Sequence, residues 1–215
     1  MSDVGGAAEH PTLSERRKEQ LRHEVAIEAV RLFATKGLAG TSVEDIATAA
    51  GISPRTFWRY FPSKESCVQP LLATGIDSLS RWLRAWSPQV PLASAVDHVS
   101  AVSGADSEHL DLTLTVLRLA ETEPGIRAVW LQEHHRTWPV IADVLAHHSG
   151  LPADRLEVRV WAATISSAML TAMEHYVAST AGTGKCEPDV VTQLIKEALR
   201  TASAGIPSAD WAKSR

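Results

Sequence analysis

The 215-residue sequence predicts an all-α protein of about nine helices, with a small N-terminal head and a larger helical body. Three observations carry this. Alternating Val/Ile/Tyr/Phe runs are scarce, and no Asn-Gly or Asp-Gly hairpin signal occurs. Apolar residues recur instead at helical spacing. Breaks containing Pro, Gly or Ser separate the segments, and no internal repeat is present.

The first helix is expected to start near Thr12 or Ser14, because Thr12 and Glu15 have capping-box spacing. Its apolar face is Leu21, Val25, Ala26, Ala29, Val30 and Phe33, and Gly37 ends it. Thr41, with Glu44 three residues on, is expected to cap a second helix whose inner face is Val43, Ile46, Ala47 and Ala50. Gly51 stops that helix, and Ile52 fills the turn. Ser53-Pro54 restarts the chain, since serine caps well and proline suits the first helical position. Pro62 ends this short third helix, and Ser63 is expected to cap a fourth. Longer helices are predicted at 64–86, 92–103, 107–121, 124–148, 153–180 and 187–204. The expected organisation is a disordered lead at 1–13, a head at 14–65, a body at 66–205 and a tail at 206–215.

Composition narrows the class. No apolar run approaches the roughly 18 residues that span a membrane. Residues 1–11 carry no apolar core of a secretory signal. Cys67 and Cys186 belong to no metal-spaced pair and are expected as free thiols in a reducing cytoplasm. The net charge is −4, and its distribution is uneven. Through Glu65 the chain has nine Lys/Arg and nine Asp/Glu; beyond it the counts are twelve and sixteen. Ser53 to Lys64 holds Arg55, Arg59 and Lys64 and no acid. A local basic patch on an acidic protein fits a DNA reader, and it also fits a solvated surface.

Two short helices joined by Ala50-Gly51-Ile52 match the helix-turn-helix plan, in which the second helix enters the DNA major groove. Arg55 and Arg59 lie four apart and share a face, and arginine bonds bidentately to guanine O6 and N7. Thr56 suits a thymine methyl or a phosphate. Trp58 and Tyr60 add flat apolar surface with polar tips, and Tyr60 and Lys64 lie where phosphates would pass. The helix starts at Thr41 and Ser53 present free N–H groups to phosphate oxygens. Phe57 and Phe61 read as the inward anchors of the same helix. Taken singly, Trp58 suits a core role equally well, and the two arginines suit solvent.

Phe33-x-x-x-Gly37, then Gly40-Thr41-Ser42-Val43-Glu44-Asp45-Ile46-Ala47, then the unbroken run from Ala50 to Glu65, closely resembles the N-terminal domain of TetR-family transcriptional regulators. The resemblance implies homodimers, usually repressors, whose C-terminal helical domain binds a small molecule and thereby changes the spacing of two reading heads. It also implies base contacts from Ser53, Pro54, Arg55, Thr56, Trp58 and Arg59, and phosphate contacts from Thr41, Ser42, Tyr60 and Lys64. Arg16, Arg17 and Lys18 suit an N-terminal arm or a solvated helix start. Many relatives carry Tyr or Phe at the position of Trp58.

The body has no phosphate loop, nucleophile elbow or zinc-protease motif, so no enzyme activity and no cofactor is expected. Glu133-His134-His135 and His147-His148 are poor chelators, because adjacent residues on a helix diverge by about 100°. Six of the seven tryptophans lie from Ser66 onward, Trp211 in the tail. Trp82, Trp86, Trp130, His134, Trp161, Ile165, Met169, Met173 and Glu174 are the candidate ligand-binding residues, for an apolar or aromatic effector. An acid such as Glu121 or Glu174 would suit a cationic one. Core packing is the competing reading for each tryptophan. The last two helices, apolar on more than one side, are expected to form a homodimer interface. The expected partners are therefore an operator DNA duplex, a small effector and a second copy, with no membrane. Activator and repressor are not separable from sequence. An enzyme using His134 and Glu174, or an architectural DNA protein, remains as an alternative class.

Overall fold

A computed structural model describes residues 12–87, 89–90, 107–180 and 187–203. Among these the chain forms eight α-helices, one short 3-10 turn and no strand. The helices are α1 (Leu13–Lys36), α2 (Val43–Ala49), α3 (Pro54–Tyr60), α4 (Gln69–Ala85), α5 (Ser107–Thr122), α6 (Pro124–Ser149), α7 (Leu156–Ser179) and α8 (Pro188–Ser203), with the 3-10 turn at Glu65–Val68. The helix expected at 92–103, the lead through residue 11 and the tail from 206 lie outside the described residues, as do Cys186 and Trp211.

Local chemistry sets the helix ends. Thr12 Oγ1 accepts from Glu15 N, and the Glu15 carboxylate accepts from Thr12 N, so the capping box at α1 is formed. Ser53 Oγ accepts from Thr56 N and Pro54 occupies the first turn of α3. Gly51, at φ 66°, takes the left-handed conformation that turns α2 into α3. Two expectations shift. The cap of α2 is Ser42, paired reciprocally with Asp45, and not Thr41 with Glu44. Thr41 is buried and its hydroxyl donates to Gly37 O at 2.8 Å. The segment expected as one helix from 64 splits in two. Ser63 and Ser66 cap each other's N–H groups around the 3-10 turn, and Pro70, with no N–H to donate, sits in the first turn of α4. Similarly α7 starts at Leu156, because a turn closed by Arg155 N to Pro152 O precedes it.

The head does not have a core of its own. One apolar cluster runs from Val25, Ala29 and Phe33 of α1, through Ile46, Phe57 and Phe61, to Leu71, Val116 and Ile126 of the body. The first turn of α6 meets the head closely: a Cβ on Gly125 would lie 2.7 Å from Glu65 Cγ. Farther away, Trp82, Leu83 and Trp86 pack on α6 and α7 in a second cluster with Val158, Ile165 and Leu199. Helix α7 packs most extensively against α6 and α8. No described helix is long and apolar enough to cross a membrane.

Candidate nucleic-acid interface and ligand cavity

Helix α3 is anchored by two aromatic rings. Phe57 is fully buried and Phe61 nearly so, with ring centroids 5.1 Å apart. That leaves Ser53, Arg55, Trp58 and Arg59 exposed, with Pro54, Thr56 and Tyr60 half-buried beside them. Trp58 is 52% exposed, its ring edge resting on Phe57. An exposed tryptophan of this size is held only from one side, so its outer face is open to a partner. Ser53 Oγ and Thr56 Oγ1 lie 2.9 Å apart. The Arg59 guanidinium lies 4.8 Å from the Tyr60 ring centroid and donates to Tyr60 Oη at 3.2 Å. Lys18 Nζ approaches the other way, 5.8 Å from the same centroid, so the start of α1 stands beside the end of α3. Arg55 makes no side-chain hydrogen bond among the described residues.

The four phosphate candidates separate. Ser42 is exposed at the start of α2. Tyr60 holds its hydroxyl against Arg59. Thr41 is 1% exposed and leaves no hydroxyl surface for a phosphate. Lys64 turns inward: Nζ donates to Leu38 O at 2.6 Å and Thr41 O at 2.9 Å. Its ammonium thus clamps the turn between α1 and α2, with one N–H left over.

The body holds a partly open cavity of about 170 Å³ between α4, α5, α6, α7 and α8. Trp130, Met169, Met173 and Ile195 give it apolar walls, and Glu133, His134, Thr137 and Ser166 give it a polar side. Thr137 Oγ1 lies 2.6 Å from Ser166 Oγ, which in turn lies 3.3 Å from His134 Nε2. Burial, with His135 nearby, lowers the His134 imidazole from its usual value. Glu133 is 3% exposed and pairs with Arg136 Nη1 at 2.7 Å. Burial pushes its carboxyl up, against the opposing pull of Arg136, Gln69 and Arg22.

Of the nine expected ligand residues, Trp130, His134, Met169 and Met173 line this cavity. Trp82 and Trp86 do not: both are buried in the second cluster, and Trp86 Nε1 donates to Val90 O. Ile165 and Trp161 pack into that same cluster. Glu174 is half-buried and absent from the cavity wall. The cavity acid is Glu133, which the sequence offered only as a poor metal ligand. Helical spacing could have found it, since Glu133 and Thr137 lie four apart on the face that also carries Trp130.

Comparison with known proteins places this architecture. The family model for bacterial regulatory proteins of the tetR family matches residues 28–71, and the model of the MftR C-terminal domain matches residues 90–207. The chain belongs to the TetR family. It is a helix-turn-helix, DNA-binding transcriptional regulator. It is 30% identical to the transcriptional regulator TcmR of Streptomyces glaucescens, over 67% of each chain. It is 27% identical to MftR of Mycobacterium tuberculosis, a regulator named for mycofactocin biosynthesis, over 92% of this chain and 96% of that one. The fold is shared with Thermus thermophilus FadR, a TetR-family repressor solved with lauroyl-CoA. There the TM-score is 0.52 at 20% identity, covering 86% of this chain and 94% of that one. In this TetR-family frame α2 and α3 form the helix-turn-helix, and α4 leads from it into the C-terminal helical body.

Proposed function

We propose that this TetR-family regulator acts in the cytoplasm as a homodimeric repressor. Two copies of α3 hold a near-palindromic operator, and a small, largely apolar ligand in the cavity releases it. The observation that carries the reading is the division of α3: Phe57 and Phe61 are buried, while Arg55, Trp58 and Arg59 face outward together. On this reading Ser53, Pro54, Arg55, Thr56, Trp58 and Arg59 meet base edges, Ser42 meets a phosphate at the N-terminus of α2, and Tyr60 meets one at the end of α3. Thr41 and Lys64 serve by shaping the turn that presents Ser42. The lauroyl-CoA of FadR is far larger than a cavity of about 170 Å³, which favours a compact effector. Selection of bound duplexes from a random pool tests the DNA part. The expected product is one motif with two inverted half-sites about one helical turn apart. Recovery of no preferred sequence, or of a single half-site only, would sink the dimeric operator reading.

A further inference from the structure

Two buried hydroxyls stand on the cavity wall, Thr137 of α6 and Ser166 of α7. A hydroxyl has one proton to give and two lone pairs that accept. The heavy atoms fix where each proton lies. Thr137 Oγ1 stands 2.6 Å from the carbonyl oxygen of His134. A carbonyl only accepts, so the Thr137 proton is spent there. Thr137 Oγ1 also lies 2.6 Å from Ser166 Oγ. With its own proton spent, Thr137 can only accept in that pair, and Ser166 is the donor. Ser166 Oγ is left with lone pairs alone to offer a ligand. The third hydroxyl of the wall, Thr113 of α5, is in the same state, since its Oγ1 donates to His109 O at 2.9 Å.

His134 carries no such bias. Ser166 Oγ lies 3.4 Å from Nδ1 and 3.3 Å from Nε2, and one oxygen equally far from both cannot lie in line with either. Burial disfavours the charged imidazole, and the neutral ring offers one donor and one acceptor to whatever enters. A second donor sits on the same wall residues: Trp130 Nε1 is buried with no acceptor. An incoming oxygen can thus find an N–H, whereas an incoming proton is met by acceptors whose polarity Thr137 sets.

We propose that Thr137 sets the chemical selectivity of the cavity. By holding the Ser166 proton, it makes Ser166 Oγ a pure acceptor, and the cavity selects small uncharged alcohols and phenols over ethers of the same size. Thr137 is a positioning residue, acting through Ser166. This inference rests on the reading of the cavity as the effector site. Size admits one ring, since a dry apolar cavity of about 150 Å³ holds benzene. Charge is disfavoured, because the one acid of the wall, Glu133, already faces Arg136 at 2.7 Å and a charged ligand would be buried without a partner.

The test uses the full chain and three probes: benzyl alcohol, its isomer anisole, which only accepts, and toluene, which does neither. Affinities are read by calorimetry. In the parent protein the alcohol is expected to bind about fivefold tighter than anisole, the worth of one neutral hydrogen bond. Thr137→Val removes Oγ1 and frees the Ser166 proton to serve a ligand. Anisole should then tighten severalfold while toluene is unchanged, and the preference for the alcohol collapses. Ser166→Ala should collapse it by the other route, with the alcohol weakened and anisole and toluene unmoved. A merely structural role would shift all three probes together, and that result overturns the proposal. Equal binding of alcohol and anisole by the parent protein, anisole unmoved in Thr137→Val, or no binding by any probe overturns it too. Operator affinity at saturating probe, read with the duplex recovered by selection, separates the two readings. Release of the operator without this ranking leaves the effector-site reading standing and sinks the selectivity. The ranking without any change in operator affinity leaves the selectivity standing and sinks the effector-site reading.

Discussion

Arg55 and Phe57 stand two residues apart on α3 and serve opposite ends. Phe57 is fully buried and fixes the helix; Arg55 is exposed and uncommitted. An arginine with no side-chain hydrogen bond among the described residues gives up little to reach a guanine edge. Arg55→Ala is expected to lower operator affinity by roughly 1–3 kcal/mol and to relax preference at one base pair of each half-site. Binding isotherms on the operator and on scrambled duplexes check this; an equal loss on both would assign Arg55 to phosphate. In the cavity, His134 makes a second residue-scale prediction. Burial lowers its imidazole below the usual value of about 6.5, so the unfolded chain binds that proton more readily than the folded one. Stability is then lost as pH falls from about 6.5 through the folded-state value. Glu133 has the opposite sign, since burial raises its carboxyl; its ionisation costs stability as pH rises through the carboxylate range. Urea unfolding of His134→Gln should therefore show a shallower loss between about pH 7 and 5 than the parent chain. Parallel curves would place the imidazole in solvent.

At the scale of elements, much of the architecture was legible. Caps are local, so Thr12-Glu15 and Ser53-Pro54 marked α1 and α3 without any tertiary information. The start of α2 was ambiguous for the same reason. Thr41-Glu44 and Ser42-Asp45 have identical spacing, and only burial of Thr41 against Gly37 O decides between them. The cavity was half legible. Trp82, Trp86 and Trp161 carry the same apolar signal as Trp130, but which tryptophan faces a void depends on how α4 and α7 rotate against α6. Lys64 shows the limit most clearly. Its sequence position suggested DNA, whereas its ammonium joins the end of the head to the α1–α2 turn through Leu38 O and Thr41 O. Lys64→Met keeps the stem and removes both bonds. It should cost about 1.5–3 kcal/mol of stability, the range for hydrogen bonds to a charged donor. Chemical denaturation reads this directly, and an unmoved midpoint would return Lys64 to the phosphate backbone.

At the scale of the molecule, the proposed function calls for two reading heads. Operator affinity in a two-headed reader comes from the second contact being intramolecular with the first, a gain of about 10²–10⁴. In the proposed homodimer a second copy docks so that two α3 helices lie one DNA turn apart, about 34 Å. The face suited to that is the outer side of α7 and α8. It carries a groove of about 660 Å³ lined by small residues such as Ala163, Ser167, Thr171, Ala198 and Ala202, which let another helix pair come close. Leu156 at 75% exposure, Val160 at 51% and Val190 at 41% are large apolar side chains left open on the same two helices. Ala198→Arg places a charge in that groove without touching the head or the cavity wall. We expect it to sediment as a monomer at micromolar concentration, to keep its helical circular dichroism, and to lose operator affinity by at least tenfold while weak, sequence-independent binding persists. A variant that remains dimeric and binds the operator normally would move the interface elsewhere. A variant that is monomeric yet binds normally would show that a single α3 carries recognition, and the spacing of two heads could not then be what the effector controls.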